Sequence, residues 1–430
     1  MSRGEDISPR ALGVAAALLL MTGAFILAKT GRDALYLQEG GVYDLPQAYM
    51  AIAVLSVPMA FLMLGLMRRL GARRARLWSG IVMSAALAVL YRVVRPGGGV
   101  LMTGFFAFVP LAFSVLFAVT WLLAADLLEG APRAELGRAY AWIGAASILG
   151  GVAGGALART LAPFVEPRLF LLLAAGALAA SVATTAVTQR RFPRRGGAAQ
   201  AVADEATTSV PSMLRQPYPA LLLAVGMAGS LVGVLVEFQL YVAAAASGAD
   251  ARANAAFFAS VYLVLNGAAL LLQVYAMPWL QRAVGIDGSL HVLPGALLSG
   301  ALALVATASL LARSVLRVAE GGLKASIHRV NWEQAYLPLR HADRAAAKVL
   351  VDGAGARIAE GIAAVILFIW LRLVVGGGPV AGHSAAWLNY ALLAAALLWI
   401  FLTRALARRL GSVDERARGE LRLDVPLPDG

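Results

Sequence analysis

The chain has 430 residues, of which 60% are hydrophobic and only 14% are charged, and its mean hydropathy is +0.75. Soluble domains carry about a quarter charged residues, so a chain this apolar is expected in lipid rather than in water. The chain has no cysteine and four scattered histidines, which excludes disulfides, thiol catalysis and a recognisable metal motif. The formal net charge of +13 does not indicate nucleic-acid binding, because the arginines cluster in short loops beside apolar runs. We therefore expect no metal, no cofactor and no nucleic-acid partner.

Apolar runs of about 18 to 25 residues predict about twelve transmembrane helices. The runs lie near residues 11–29, 46–67, 77–94, 100–124, 139–163, 169–188, 218–241, 255–280, 290–312, 315–337, 349–374 and 385–406. The first ten residues are polar and mixed in charge, and no small-residue cleavage site follows, so a cleaved signal peptide is not expected.

Arginine clusters follow the second, sixth and last runs, and they predict the orientation in the membrane. They are Arg68, Arg69, Arg73, Arg74 and Arg76; Arg190, Arg191, Arg194 and Arg195; and Arg404, Arg408, Arg409, Arg416 and Arg418. If every run crosses the bilayer once, all three clusters lie on one face, which the positive-inside rule makes the cytoplasm. We therefore expect a multi-pass protein of the cell inner membrane with both termini cytoplasmic.

One long polar stretch divides the predicted helices into two sets of six. Residues 189–217 lack apolar periodicity and read as a linker. The predicted organisation is an N-terminal six-helix bundle over 1–188, a cytoplasmic linker over 189–217, a C-terminal six-helix bundle over 218–410 and a cytoplasmic tail over 411–430. A faint repeat between Met67–Gly71 and Leu280–Gly285 supports the division. The fold class is therefore an all-α membrane protein with the plan of the major facilitator superfamily, whose substrate site lies between the halves near mid-membrane.

The first candidate site segment lies at the end of the first helix. Lys29, Arg32 and Asp33 follow the apolar run without a turn signal, so the helix is expected to continue through them. Charges inside a span are costly unless they face a cavity or a partner, which favours a place on a cavity wall. The alternative is a helix end whose long side chains extend to the membrane surface.

Glu237 and Gln239 stand late in the seventh apolar run. A lone glutamate there favours a cavity or a role in coupling. The alternatives are an ion pair between helices or an exposed end of the span.

The tenth run is too polar to face lipid. It contains Glu320, Lys324, Asn331 and Glu333, so it either lines an aqueous path or lies on the surface outside the bilayer. The alternation of arginine clusters requires it to cross, which favours lining.

The fifth run carries small residues at helical spacing, from Gly144 to Gly155, and this predicts close helix packing rather than a site. No Gly-Lys-Ser/Thr follows, so a P-loop is excluded, and no catalytic constellation appears elsewhere. We therefore do not expect an enzyme, and we assign no catalytic residue.

Four stretches resemble, in order, the motifs of the nucleotide transporter family, the ATP/ADP translocases of plastids and intracellular bacteria. They are Gly31–Leu37; Phe117–Asp126 with Ala134–Arg138; Val236–Gln239 with Ala255–Phe258; and Glu333–Leu339 with Ala347, Lys348 and Asp352. In that family a first-helix cation and later charged residues engage the substrate, and members are often monomeric. The resemblance therefore implies substrate-binding roles for Arg32 and Glu237, and a monomer. Arg32 departs from the lysine of the ATP/ADP exchangers, and Tyr241 stands where many relatives carry a lysine, which weakens the case for a highly charged anion.

The expected function is secondary active transport of a small anionic solute, a nucleotide or another organic anion, by alternating access. The predicted substrate-binding residues are Lys29, Arg32, Asp33, Glu237, Gln239, Lys324, Asn331 and Glu333, and the predicted coupling residues are Glu237 and Glu320. The alternative is a non-transporting or lipid-handling membrane protein on the same fold, acting as a scaffold or sensor. The missing seventh-helix lysine and the lack of an appended soluble domain keep that alternative open, and a membrane-embedded enzyme ranks third.

Overall fold

The structure is a computed structural model that describes residues 9–39, 41–94, 99–128, 133–192, 215–307, 309–339, 347–376 and 383–423. These residues form helices and connecting turns, with no strand among them. The helices before the predicted linker are α1 (Pro9–Glu39), α2 (Leu45–Val93), α3 (Gly99–Leu128), α4 (Arg133–Leu161) and α5 (Leu169–Arg191). Those after it are α6 (Pro217–Ala246), α7 (Ala251–Leu271), α8 (Met277–Leu290), α9 (Val292–Ala306), α10 (Leu310–Leu323), α11 (Arg329–Ala335), α12 (Ala356–Trp370) and α13 (His383–Leu423). Short π-helical turns join α7 to α8 and α10 to α11, and others flank α12.

Among the described residues, eleven helical segments are long and apolar enough to cross a membrane. Six of them precede the predicted linker, because α2 contains two spans, Leu45–Met67 and Arg73–Val93. The continuous segment from α10 to α11 is a twelfth long helix with too many charges to qualify by composition. It packs against α6, α7 and α9, which places it within the bundle rather than on a surface. The prediction of an all-α, multi-pass fold with about twelve helices is confirmed.

The faint internal repeat corresponds to a shared backbone feature. Gly71 interrupts α2 and Gly285 interrupts α8, and each adopts a positive φ, 76° and 66° respectively. Positive φ is strained for residues with a Cβ, so glycine is the residue that allows each sharp change of direction. The two matching sequences therefore end matching spans in the same way.

The first helix continues through its charged residues, as predicted. It runs without a break to Glu39, and Arg32 and Asp33 are almost fully buried. The alternative, in which the side chains at the helix end extend to the membrane surface, is therefore wrong for these two residues. Their partners lie inside the protein.

Glycines in α4 allow two close helix contacts, in agreement with the packing prediction. A side chain at Gly150 would overlap the carbonyl oxygen of Leu19 on α1. A side chain at Gly155 would come within 2.9 Å of the Leu263 Cα on α7. The helix α4 thus joins the first set of spans to the second, and α2 makes a further junction with α12.

The described residues cover only parts of the predicted linker and tail. Residues 193–214 and 424–430 lie outside them, whereas α5 reaches Arg191 and α13 continues to Leu423. The division into two six-helix bundles stays a prediction.

Candidate functional site

A polar cavity of about 160 Å³ lies between the two sets of spans. Helices α1, α2 and α3 contribute one side, and α6, α10 and α12 contribute the other. Its charged lining consists of five basic side chains, Lys29, Arg32, Arg317, Lys324 and Arg357, and three acidic ones, Glu237, Glu320 and Glu360. The aromatic lining consists of Phe25, Tyr49 and Phe106. The cavity walls therefore carry an excess of positive charge.

A chain of alternating charges crosses the cavity from α1 to α10. The Lys29 Nζ donates to the Glu237 Oε1 at 2.9 Å, and the Arg317 Nη2 lies 3.4 Å from the same oxygen. Arg317 also pairs with Glu320, and the Lys324 Nζ lies 3.4 Å from the Glu320 Oε1. Because Lys29 and Glu237 belong to different sets of spans, this ion-pair chain joins the two sets directly.

Arg32 forms a second cluster, which is almost fully buried. Its Nε donates to the Asp33 Oδ1 at 2.6 Å, and its guanidinium carbon lies 3.9 Å from the centre of the Phe106 ring. The Arg32 Nη2 lies 3.4 Å from the Tyr241 hydroxyl on α6, and the Tyr262 hydroxyl on α7 donates to Asp33. Two helices of the second set therefore bind the charged pair of α1, and the carboxylate of Asp33 is fully buried.

Five of the predicted site residues line the cavity: Lys29, Arg32, Glu237, Glu320 and Lys324. Asp33 lies behind this lining as the partner of Arg32. The cavity and the interhelical ion pair, offered as alternatives for Glu237, occur together. The roles of these residues in binding and coupling stay predictions.

Gln239, Asn331 and Glu333 are placed elsewhere. Gln239 is fully buried, and its amide donates to the Asn389 Oδ1 at 2.8 Å. Asn331 is also buried, and it accepts a hydrogen bond from Gln281 at 3.2 Å. Each amide has a partner on another helix, and neither residue is part of the cavity lining.

Glu333 belongs to a contact between neighbouring segments of the second set. It pairs with Lys348, and the side chains of both residues are about half exposed. One turn along, the Tyr336 hydroxyl donates to the Asp352 Oδ1 at 2.8 Å. These two polar contacts hold the end of α11 to the start of the next span.

Sequence reasoning missed three charged residues of the cavity. Arg317 was part of the tenth span, and its spacing to Glu320 and Lys324 places all three on one helix face. Arg357 and Glu360 form an ion pair of 2.6 Å on α12. Their spacing of three residues inside an apolar run was the available signal.

The lining has no metal-site character, since the described residues contain no group of three or more potential ligands of the His, Cys, Asp or Glu type. Charged and aromatic side chains in a water-accessible cavity suit binding of a polar solute.

Several solved structures share this fold. The chain superimposes on the nucleoside transporter NupG with a TM-score of 0.64 at 10% identity, over 93% of this chain and 98% of that one. An auto-inhibited peptide transporter of the POT family gives a TM-score of 0.66 at 9% identity, over 94% and 97%. The POT-family transporter PepTSo gives 0.62 at 9% identity, over 94% and 98%. No protein-family model matches the sequence, and no curated protein does.

These likenesses show that the chain shares the multi-pass helical fold of these solved transporters. At such low identity they carry the fold and no substrate. The resemblance to ATP/ADP translocases finds no match here and stays a prediction.

Proposed function

We propose that this protein is a secondary transporter that moves a small organic anion across the cell inner membrane by alternating access. One observation carries the proposal: helices of both span sets line a single cavity in which basic side chains outnumber acidic ones. In the major facilitator plan, a site shared by the two halves is exposed to one face of the membrane and then to the other as the halves rock.

The cost of the cavity charges supports a binding role. Ionisable side chains at membrane depth cost several kcal/mol unless they meet partners or water. A fold needing only packing would place apolar residues at these positions. The ion-pair chain keeps these charges compensated while the cavity is empty, and an anionic substrate would replace a carboxylate as partner of Lys29 or Arg317.

The carboxylates that pair with these cations are the proposed coupling groups. Glu237 holds Lys29 and Arg317, and Glu320 holds Arg317 and Lys324. Protonation of either carboxylate would release cations toward an anion. Anion binding and proton binding would therefore each increase the affinity for the other, which is the thermodynamic coupling that proton-linked transport needs.

Nucleotides are the first anions to test, because four stretches of the sequence resemble motifs of the nucleotide transporter family. The cavity of about 160 Å³ is smaller than the roughly 300–1,000 Å³ of common small-molecule sites. A nucleoside triphosphate would therefore require the halves to separate, whereas a smaller phosphate or carboxylate needs less opening.

Thermal stability of the purified protein in neutral detergent tests the proposal. The panel contains ATP, ADP, GTP, NAD, inorganic phosphate, organic acids and lipid headgroups, with uncharged nucleosides as neutral controls. A ligand present at 100 times its dissociation constant adds about 2.7 kcal/mol to stability. At least one anion should raise the melting temperature, whereas uncharged nucleosides should not.

Lys29→Met is the test variant, because Arg317 still pairs with Glu237 when Lys29 is lost. Lys348→Met is the matched control, since it removes a lysine from an ion pair outside the cavity. The anion-induced shift should disappear in Lys29→Met and persist in Lys348→Met. Absence of any anion-induced shift in the native chain would overturn the proposal and favour the non-transporting scaffold.

A further inference from the structure

A second cavity, with an apolar lining, opens on the outer surface of the helical bundle. It lies between α2 and α12 and has a volume of about 440 Å³. Its lining is apolar and comes from one face of each helix. The lining includes Met50, Ala53 and Val54 on α2, and Ile358, Ile362 and Val365 on α12. Val54 is 70% exposed and Ile362 is 44% exposed, so this groove is open to its surroundings.

The groove lies at the same depth as the cationic cavity. Ile52 of α2 and Arg357 of α12 line the cavity. The next residue along each helix, Ala53 and Ile358, lines the groove. The contact between α2 and α12 therefore separates the groove from the charged cavity.

That contact is close and apolar. A Cβ at Gly361 would lie 3.2 Å from the Ala53 Cβ, so two small residues bring the helices together. Within the described ranges of these helices, no hydrogen bond or ion pair joins α2 to α12. Small-residue contacts without polar links can part without leaving buried polar groups unsatisfied.

We propose that the transported anion is the headgroup of an amphiphile, a lipid with an anionic head and an acyl chain that lies in this groove. The inference rests on the proposed function and adds the apolar half of the substrate. The basic excess of the cavity suits an anionic head, and the groove suits hydrocarbon. The α2–α12 contact is then the lateral path by which the head enters from the membrane while the chain stays in lipid.

The test compares ligands that differ in one part at a time. Glycerol 3-phosphate supplies the head alone, lysophosphatidate supplies the same head with a chain, and lysophosphatidylcholine supplies a chain with a zwitterionic head. Each is titrated into the full-length protein in neutral detergent, and the concentration that gives half of the maximal thermal shift is measured.

Ile362→Trp fills the groove, and Val365→Trp is a second groove variant should the first fold poorly. Ile369→Trp is the matched control, because Ile369 is 49% exposed on the same helix and does not line the groove. Partition of ligand into detergent is the same for every variant, so a difference between them reports the groove. An indole ring in the groove would exclude the acyl chain of the ligand by steric overlap.

The proposal predicts that lysophosphatidate stabilises the native chain at a concentration at least about tenfold lower than lysophosphatidylcholine does. Filling the groove should raise the lysophosphatidate concentration that gives half of the maximal thermal shift by about tenfold or more. Ile369→Trp should leave that concentration unchanged. Equal behaviour of the groove variants and the control would overturn the inference. Stabilisation by glycerol 3-phosphate or a nucleotide but not by lysophosphatidate would also overturn it, while leaving the proposed anion transport intact. No stabilisation by any anion would overturn both.

Discussion

Glu237→Gln is the substitution whose consequences follow most directly from the ion-pair chain. The change removes a negative charge that lies 2.9 Å from Lys29 and 3.4 Å from Arg317, while it preserves side-chain size. At an effective dielectric constant of about 20, these distances correspond to Coulomb attractions of about 6 and 5 kcal/mol. The cost of removing the charges from water offsets much of this attraction.

Breaking a buried ion pair costs about 3–5 kcal/mol in stability. The Glu237 side chain is 19% exposed in the cavity, so water can partly hydrate the two cations left behind. We therefore expect a loss of about 3 kcal/mol, near the lower end of that range. Unfolding by dodecyl sulfate in mixed micelles is the measurement.

Glu166→Gln is the matched control, because Glu166 pairs with Arg168 at 2.6 Å and its side chain is 56% exposed. Exposed ion pairs contribute about 0–1 kcal/mol. Inorganic phosphate should restore part of the stability of Glu237→Gln, because Lys29 and Arg317 then lack their carboxylate, and it should stabilise Glu166→Gln no more than it stabilises the native chain. Equal losses in the two variants, or no greater stabilisation by phosphate in Glu237→Gln than in the native chain, would refute the reasoning.

Three further substitutions test the contacts around the cavity. Gly150→Val should overlap the backbone of α1, cost about 1–3 kcal/mol or more in stability and reduce the yield of folded protein. Gly144→Val should be tolerated, because a Cβ at Gly144 has no atom within 4 Å, and equal monodisperse yields of the two variants would contradict this. Arg32→Ala should destabilise the protein by about 3–5 kcal/mol because it leaves Asp33 buried without its cation, and adding Asp33→Asn should recover most of that loss in the same unfolding assay; no recovery in the double variant would count against the pair. Tyr262→Phe should cost about 1.5–3 kcal/mol by removing a hydrogen bond to a charged group, and an unchanged unfolding midpoint would exclude that bond.

The spans could be predicted because lipid imposes length and polarity on a helix almost independently of its neighbours. For the same reason, the surroundings of the charged residues of α1 could be predicted from the sequence. Since Lys29 and Arg32 continue an apolar run, they had to face a cavity or a partner, and the structure gives them both.

The rest of the site depended on contacts that one helix does not reveal. Polarity inside a span shows that a partner is needed, but it does not show whether the partner is a substrate or another side chain. Gln239 pairs with Asn389, which is 150 residues away, whereas Glu237, two residues earlier, lines the cavity. Tyr262 and Phe106 carry no charge, so an apolar run gave no signal of their contacts with Asp33 and Arg32.

The central claim, a site that opens alternately to the two faces of the membrane, can be tested with a single cysteine. The native chain contains none, so Ser230→Cys on the cavity wall would be the only thiol. A membrane-impermeant maleimide is applied to right-side-out and to inside-out vesicles, with and without an anion that stabilises the purified protein. Alternating access predicts labelling from each side, with the anion changing the ratio of the two labelling rates. Labelling from one side only, or from neither, under every ligand condition would contradict it.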